Sequence, residues 1–163
     1  MKKEAPKEIT GGAKTLLIIL CLLVFAPILF VAAIFYLLWG CILYLSVWLG
    51  WKQQLVLFVY SNSPIWKDYL EKEIIPLIQE KAVILNWSER KSWRNSIPTL
   101  AFRYFGGSQN FNPIAIVFRP FQPAKTFRFY QAFKKFKHGD SKEVEEIKDR
   151  LFRNLKIKTP SFV

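Results

Sequence analysis

Few residues in this 163-residue chain have side chains suited to covalent or metal chemistry, and their positions restrict what they can do. The two cysteines, Cys21 and Cys41, both lie in a stretch without charge, so positions 52–163 hold no thiol. That excludes a disulfide framework, a CxxC redox pair and a cysteine zinc site from this part of the chain. His138 is the single histidine, which excludes a multi-histidine metal site, and its place before Gly139 marks a loop ahead of a final helix. No metal or cofactor is expected. Two polar segments remain. Ser61-Asn62-Ser63 precedes Pro64, where hydroxyls, an amide and the N–H groups of a helix start suit an anion or serve simply as turn and N-cap. Asn86-Trp-Ser-Glu-Arg90 follows a β-like run. In open α/β sheets ligands gather at the carboxyl ends of strands, so Asn86, Glu89 and Arg90 are candidates to face the Ser63 turn. A glutamate with neither nucleophile nor metal beside it is thin ground for acid–base catalysis, and no catalytic residue is assigned.

The second cluster is basic and aromatic. Between Phe102 and Phe136 stand 11 Phe and Tyr, interleaved with Arg103, Arg119, Lys125, Arg128, Lys134 and Lys135, and Lys134-Lys-Phe-Lys-His138 is the densest basic patch. Aromatics between cations suit single-stranded nucleic acid, a strand hairpin with one buried face, or a surface lying on anionic lipid. Core comes first among these, then contact with membrane or partner through Arg119, Lys125, Arg128, Lys134, Lys135 and Lys137; nucleic acid is not expected.

The elements that must position these residues begin with a membrane segment. No charged residue occurs from Thr15 to Trp51, which as a helix at about 1.5 Å per residue exceeds the ~30 Å hydrocarbon core. This run is too long for the apolar region of a signal peptide and is expected to be retained. Tyr36, Trp39, Tyr44, Trp48 and Trp51 crowd its second half, as interfacial aromatics do. One reading is a span over 16–38 continuing as an interfacial helix to Trp51. The other is a hairpin of two short spans or a re-entrant loop, with Pro27 and Gly40 as the interior breakers. Lys2, Lys3, Lys7 and Lys14 precede the run and Lys52, Lys67 and Lys72 follow it, so one span has no clear orientation. Positions 52–163 carry 20 Lys and Arg against 10 Asp and Glu, which favours a cytoplasmic surface facing anionic lipid. The organisation expected is a basic tail over 1–14, a membrane segment over 15–51 and an α/β domain over 52–163.

Within that domain, Leu55–Tyr60 is continuously apolar and β-rich, as in a strand covered on both faces. Ser63 as N-cap and Pro64 at the first helical position open a helix through about Glu80, kinked where Pro76 removes a backbone bond. Ala82–Asn86 is a second buried strand, completing a βαβ unit. Pro98–Phe105 is a short helix closed by Gly106-Gly107, Ile114–Phe118 a third strand, and Lys125–Tyr130 a fourth that pairs with it as a hairpin. Asp140 and Glu143 make a capping-box pair ahead of a last helix whose apolar stripe is Val144, Ile147, Leu151 and Leu155, with Phe152 beside it.

The order β-α-β-α-β-β-α resembles that of the thioredoxin fold. An apolar strand runs into the Ser63-Pro64 turn, where thioredoxins carry CxxC; Pro76 lies inside the following helix; and Asn112-Pro113 precedes the third strand, where that family keeps a cis-proline beside its active site. The Gly139-Asp140 opening of the last helix also fits. The resemblance implies a thioredoxin-like domain with Pro113 next to the Ser61–Ser63 turn. It departs in its chemistry: Ser61, Asn62, Ser63 and Ile65 stand where redox cysteines would be, and none of them can supply the thiolate that disulfide exchange requires. The expectation is a membrane-anchored, redox-inactive binding or scaffold module whose basic, aromatic face meets anionic lipid headgroups or an acidic protein. The rival is a membrane-tethered enzyme acting on an anionic substrate at the Ser61–Ser63 turn.

Overall fold

A computed structural model describes residues 11–51, 54–109 and 111–157. The tail lysines Lys2, Lys3 and Lys7 and the flanking Lys52 lie outside the described residues. The chain divides into two compact units at Cys41/Ile42. The first consists of most of helix α1 (Gly11–Gly50), whose large apolar side chains from Leu16 to Leu38 are exposed. From Lys14 to Gly50 it is long and apolar enough to cross a membrane. Pro27 is accommodated inside the helix, and Gly40 does not end it either. The two-span hairpin is therefore not formed: the helix runs on through both breakers to Gly50, and its backbone groups are paired within one helix apart from the bond that Pro27 cannot donate.

The second unit is a four-stranded mixed sheet between two helical layers, and it includes the last turns of α1. Strands β1 (Val56–Tyr60), β2 (Ala82–Asn86), β3 (Ile114–Val117) and β4 (Lys125–Arg128) lie in the order β2-β1-β3-β4. β1 and β2 are parallel, with Val56 opposite Ala82; β3 runs antiparallel to both β1 and β4, with Val59 opposite Ile114 and Ala115 opposite Phe127. The continuous apolar run of β1 is explained by this central place, because alternate side chains enter two different cores. Val56 and Phe58 join Leu70, Ile74, Phe133, Leu151 and Phe152 on one face. Leu57 and Val59 join Ile114, Ile116, Phe118, Ala101 and Phe102 on the other, where Val47 of α1 completes the cover.

Between β1 and β2 the helix begins later than expected and changes pitch. The Ser63 carbonyl accepts from the N–H groups of Trp66 (3.3 Å) and Lys67 (3.0 Å), and α2 (Lys67–Tyr69) has no side-chain cap. Ser63 thus opens a turn and does not cap a helix at Pro64. A π-helical stretch, Leu70–Ile74, separates α2 from α3 (Ile75–Ile78), with the Ile75 N–H donating to the Leu70 carbonyl. Pro76 has no N–H and its ring crowds the carbonyl of the preceding turn, so the chain widens there. A 3₁₀ turn, Gln79–Lys81, leads into β2, and another, Trp87–Ser92, leaves it.

Helix α4 (Ile97–Phe105) is N-capped by Ser96, with Thr99 returning a bond to the Ser96 N–H at 2.9 Å. Gly106 ends it and Gly107 takes the left-handed conformation (φ 73°). The fourth strand stops at Arg128. Phe129, Ala132, Phe133 and Phe136 recur at helical spacing, and α5 (Tyr130–Phe136) forms where a longer strand is expected. Helix α6 (Lys142–Leu155) buries Val144, Leu151, Phe152 and Leu155. Its capping box is not formed: Asp140 Oδ1 accepts from the Lys142 N–H at 3.1 Å, while Glu143 pairs with Lys135 of α5 at 2.7 Å. A cation within reach on the neighbouring helix draws Glu143 away from the backbone.

Candidate functional site

At the carboxyl ends of β1 and β2 the chain leaves the sheet at Ser61 and Trp87, and the polar residues picked out above meet there. The Asn86 amide donates to Asn62 Oδ1 (2.9 Å) and to Glu89 Oε1 (3.2 Å), and Asn86 Oδ1 accepts from the Ser88 N–H (3.0 Å). The Asn62 N–H donates to Ser88 Oγ at 3.0 Å. Asn62, Asn86 and Glu89 therefore form one network joining the β1 and β2 turns. Ser63 Oγ accepts from the Ile65 N–H within its own turn (3.4 Å), and Trp66 Nε1 donates to the Ser61 carbonyl (3.2 Å). Arg90 is held on Trp87: its guanidinium lies 5.0 Å from the Trp87 ring centroid and donates to the Trp87 carbonyl.

Beside this network is an open cleft of about 470 Å³ lined by Ser61, Ser63, Trp66, Trp87, Asn112 and Tyr130. The Asn112–Pro113 peptide is cis, and the Pro113 carbonyl accepts from the Phe129 N–H at 2.9 Å, fixing the start of β3 against the end of β4. Asn112 Oδ1 is buried and has no hydrogen-bond partner. Such an orphan acceptor can take a donor from whatever occupies the cleft. Tyr60 is nearby, its hydroxyl donating to Glu71 at 3.0 Å; burial, then the Glu71 carboxylate, pushes its pKa up. Among the described residues no cluster of His, Cys, Asp and Glu suits a metal ion.

The basic residues do not share one surface role. Arg128 is a brace, donating to the carbonyls of Gly106 (3.0 Å) and Gln109 and closing the loop after α4. Lys135 is paired with Glu143, which raises its pKa, and Lys134 lies 4.8 Å from the Tyr130 ring centroid. Lys137 is the exposed C-cap of α5. Arg119 and Lys125 flank an open cavity at the opposite end of the sheet from Asn86.

At that end the Arg119–Ala124 loop packs on the last turns of α1. The Tyr44 hydroxyl donates to the carbonyls of Arg119 and Gln122, and its ring packs edge-on against Phe118 (5.8 Å). The Gln122 N–H donates to the Arg119 carbonyl, closing a turn with Pro120 second and Phe121 third. Phe121 has φ 60° and is 95% exposed, its ring 5.8 Å from that of Trp48. Two adjoining cavities of about 510 and 380 Å³ open beside the loop, and Arg119, Lys125, Lys81, Lys156 and Asn154 line them. Asn154 Oδ1 is buried without a partner. Lys81, Lys156, Asn154 and Phe121 escape a reading of the sequence. For Phe121 alone there is a local signal: Arg-Pro-Phe-Gln puts a bulky residue at the turn position that favours glycine.

Comparison with protein-family models, curated proteins and solved structures gives no match for this chain.

Proposed function

We propose that this protein is a membrane-anchored binding module of thioredoxin-like fold, without thiol chemistry, which holds a basic and aromatic surface against anionic lipid or an acidic partner. The observation that carries the reading is the last part of α1. An apolar helix whose side chains are exposed from Leu16 to Leu38 ends in Leu43 and Val47, which are buried in the α/β unit, with Tyr44, Trp48 and Trp51 around them. A bilayer supplies the cover that the first part lacks, and interfacial aromatics suit the second. The strand order β2-β1-β3-β4, its one parallel pair and the place of Pro113 support the thioredoxin-like reading.

A single cysteine at the exposed Ser108, with Cys21 and Cys41 changed to serine, tests the orientation in intact cells. Labelling by an impermeant maleimide only after permeabilisation is the expected result for a cytoplasmic domain. Labelling of intact cells overturns that side and directs attention to partners outside the membrane.

The orphan Asn112 acceptor favours a second reading, in which the cleft at Ser61, Ser63 and Trp66 takes a ligand, including an anionic substrate of a tethered enzyme. Changing Ser63 and Glu89 together to alanine separates the two. An enzyme loses its cellular phenotype while staying folded, whereas a scaffold is nearly indifferent.

A further inference from the structure

The two ends of the sheet differ in a way that points to one specific contact. At the end where α1 enters the domain, an almost fully exposed phenylalanine sits at the tip of a turn, and beside it opens a cavity rimmed by cations. We propose that the Arg119–Ala124 turn is a bilayer-docking element: the Phe121 ring enters the acyl boundary, and Arg119, Lys125, Lys81 and Lys156 take the phosphates of anionic phospholipid. The proposal rests on the reading of α1 as a membrane span.

Three independent observations carry it. Phe121 holds a left-handed backbone that disfavours any side chain, while its ring stays 95% exposed to solvent, so within the domain neither its conformation nor its surface is compensated. Its ring packs edge-on against Trp48, itself an exposed aromatic of the helix that would leave the bilayer here, and Tyr44 ties the same loop to that helix through two carbonyls. The turn is thus fixed at the depth where aromatic belts lie. The third observation is charge. Among the described residues the adjoining cavities gather four cations and no carboxylate, and Asn154 adds a side-chain amide with a buried, unpartnered oxygen atom. An amide turned about its last bond presents N–H donors in that place, which suits phosphate. Arg128, Lys134 and Lys135 do not line these cavities; Lys81, which donates to the Leu155 carbonyl at 3.4 Å, and Lys125, 5.7 Å from the Phe127 ring centroid, do, and each ammonium keeps further donors for a phosphate.

The test uses the full-length chain with Cys21→Ser, Cys41→Ser and Gln122→Cys, labelled at Gln122→Cys with an environment-sensitive fluorophore. It is reconstituted in nanodiscs of phosphatidylcholine alone or with phosphatidylserine. A blue shift that grows with phosphatidylserine is expected. Arg119→Gln with Lys125→Gln should lower the docked-to-free ratio in anionic discs roughly thirtyfold, at the usual value of a juxtamembrane cation. Phe121→Gly should abolish the shift without lowering the melting temperature, because glycine suits the backbone at that position. A shift equal in neutral and anionic discs and indifferent to the charge variants overturns the lipid assignment in favour of an acidic partner for these cations. Inorganic phosphate reproducing the shift in neutral discs overturns it in favour of a soluble anion. Carbonate extraction of the same protein keeps the two levels apart: release from the membrane sinks the anchor itself, whereas retention without any shift sinks only the docking.

Discussion

Single side chains in this protein are legible to different degrees. The absence of a thiol from positions 52–163 excludes disulfide chemistry whatever the fold, because the nucleophile itself is missing. The roles of Asn62, Asn86 and Glu89 as one network depended on β1 and β2 being parallel neighbours, which aligns Tyr60 with Asn86. Replacing Asn86 by alanine removes both of its side-chain donor bonds and the acceptor for Ser88, and should cost about 1–2 kcal/mol in chemical unfolding. Phe121 is the contrary case. Phe121→Gly should raise the unfolding free energy by up to about 1 kcal/mol in detergent, where the turn has no lipid phosphate to meet, as relief of a left-handed backbone requires. A loss of stability instead would mean that the ring has a packing role in the domain.

At the scale of elements, α2 and α6, which cover the same face of the sheet, are fastened to each other by a compact polar cluster. The Tyr69 hydroxyl donates to Glu145 (2.5 Å), and Lys148, only 6% exposed, pairs with the same carboxylate (2.5 Å) and lies 5.5 Å from the Tyr69 ring centroid. Burial, and after it the Glu145 carboxylate, pushes the Tyr69 pKa well above its usual value. For Glu145 burial acts upward, but the bonds from Lys148 and Tyr69 outweigh it and leave the carboxyl below its usual range. The lowered carboxyl contributes stability that is present above the ordinary carboxylate pKa and lost as pH falls through its folded value. The raised phenol contributes below the ordinary tyrosine pKa and loses its part as pH rises beyond it. Stability should therefore be flat with respect to this cluster between about pH 5 and 9 and decline on both sides. Tyr69→Phe should reduce the alkaline decline in a pH series of thermal melts, leaving the part due to Tyr60, and keep most of the acid one. The helix α5 is the element that sequence pattern missed. Phe127 and Phe129 alternate as a strand, Phe129, Ala132, Phe133 and Phe136 repeat as a helix, and Phe129 belongs to both patterns. The choice between them was made by the core, where Phe133 fills space between α2 and α6.

For the whole molecule, the consequential point is where the α/β unit begins. Leu43 and Val47 are buried, and Val47 covers the face of the sheet formed by Leu57, Val59 and Ile116. A fragment over 42–157 should unfold cooperatively, while one starting at residue 54 should lose the burial of two aliphatic side chains, about 3–6 kcal/mol at 1.5–3 each. Circular dichroism melts of the two fragments give the comparison, and equal midpoints would show that these turns of α1 are dispensable to the core. The loss is large for a domain of this size, whose net stability is typically 5–15 kcal/mol.

The sequence by itself determined the apolar run of α1, the order of four strands, the βαβ unit and the exclusion of thiol redox chemistry. These follow from local quantities: residue type, a period of two or of 3.6, and prolines and glycines at ends of elements. Only the tertiary structure decided that α1 is one uninterrupted helix, that its last turns belong to the core, and that Arg128 is a brace. It also gathered Lys81, Arg119, Lys125 and Lys156 around two adjoining cavities beside the Phe121 turn. Arg119 and Lys125 belong to the β3–β4 hairpin, Lys81 to the turn before β2 and Lys156 to the end of α6, so their meeting depends on strand order and on where α6 ends. No local spacing encodes that, because sheet neighbours are chosen by burial of their shared faces and not by distance along the sequence.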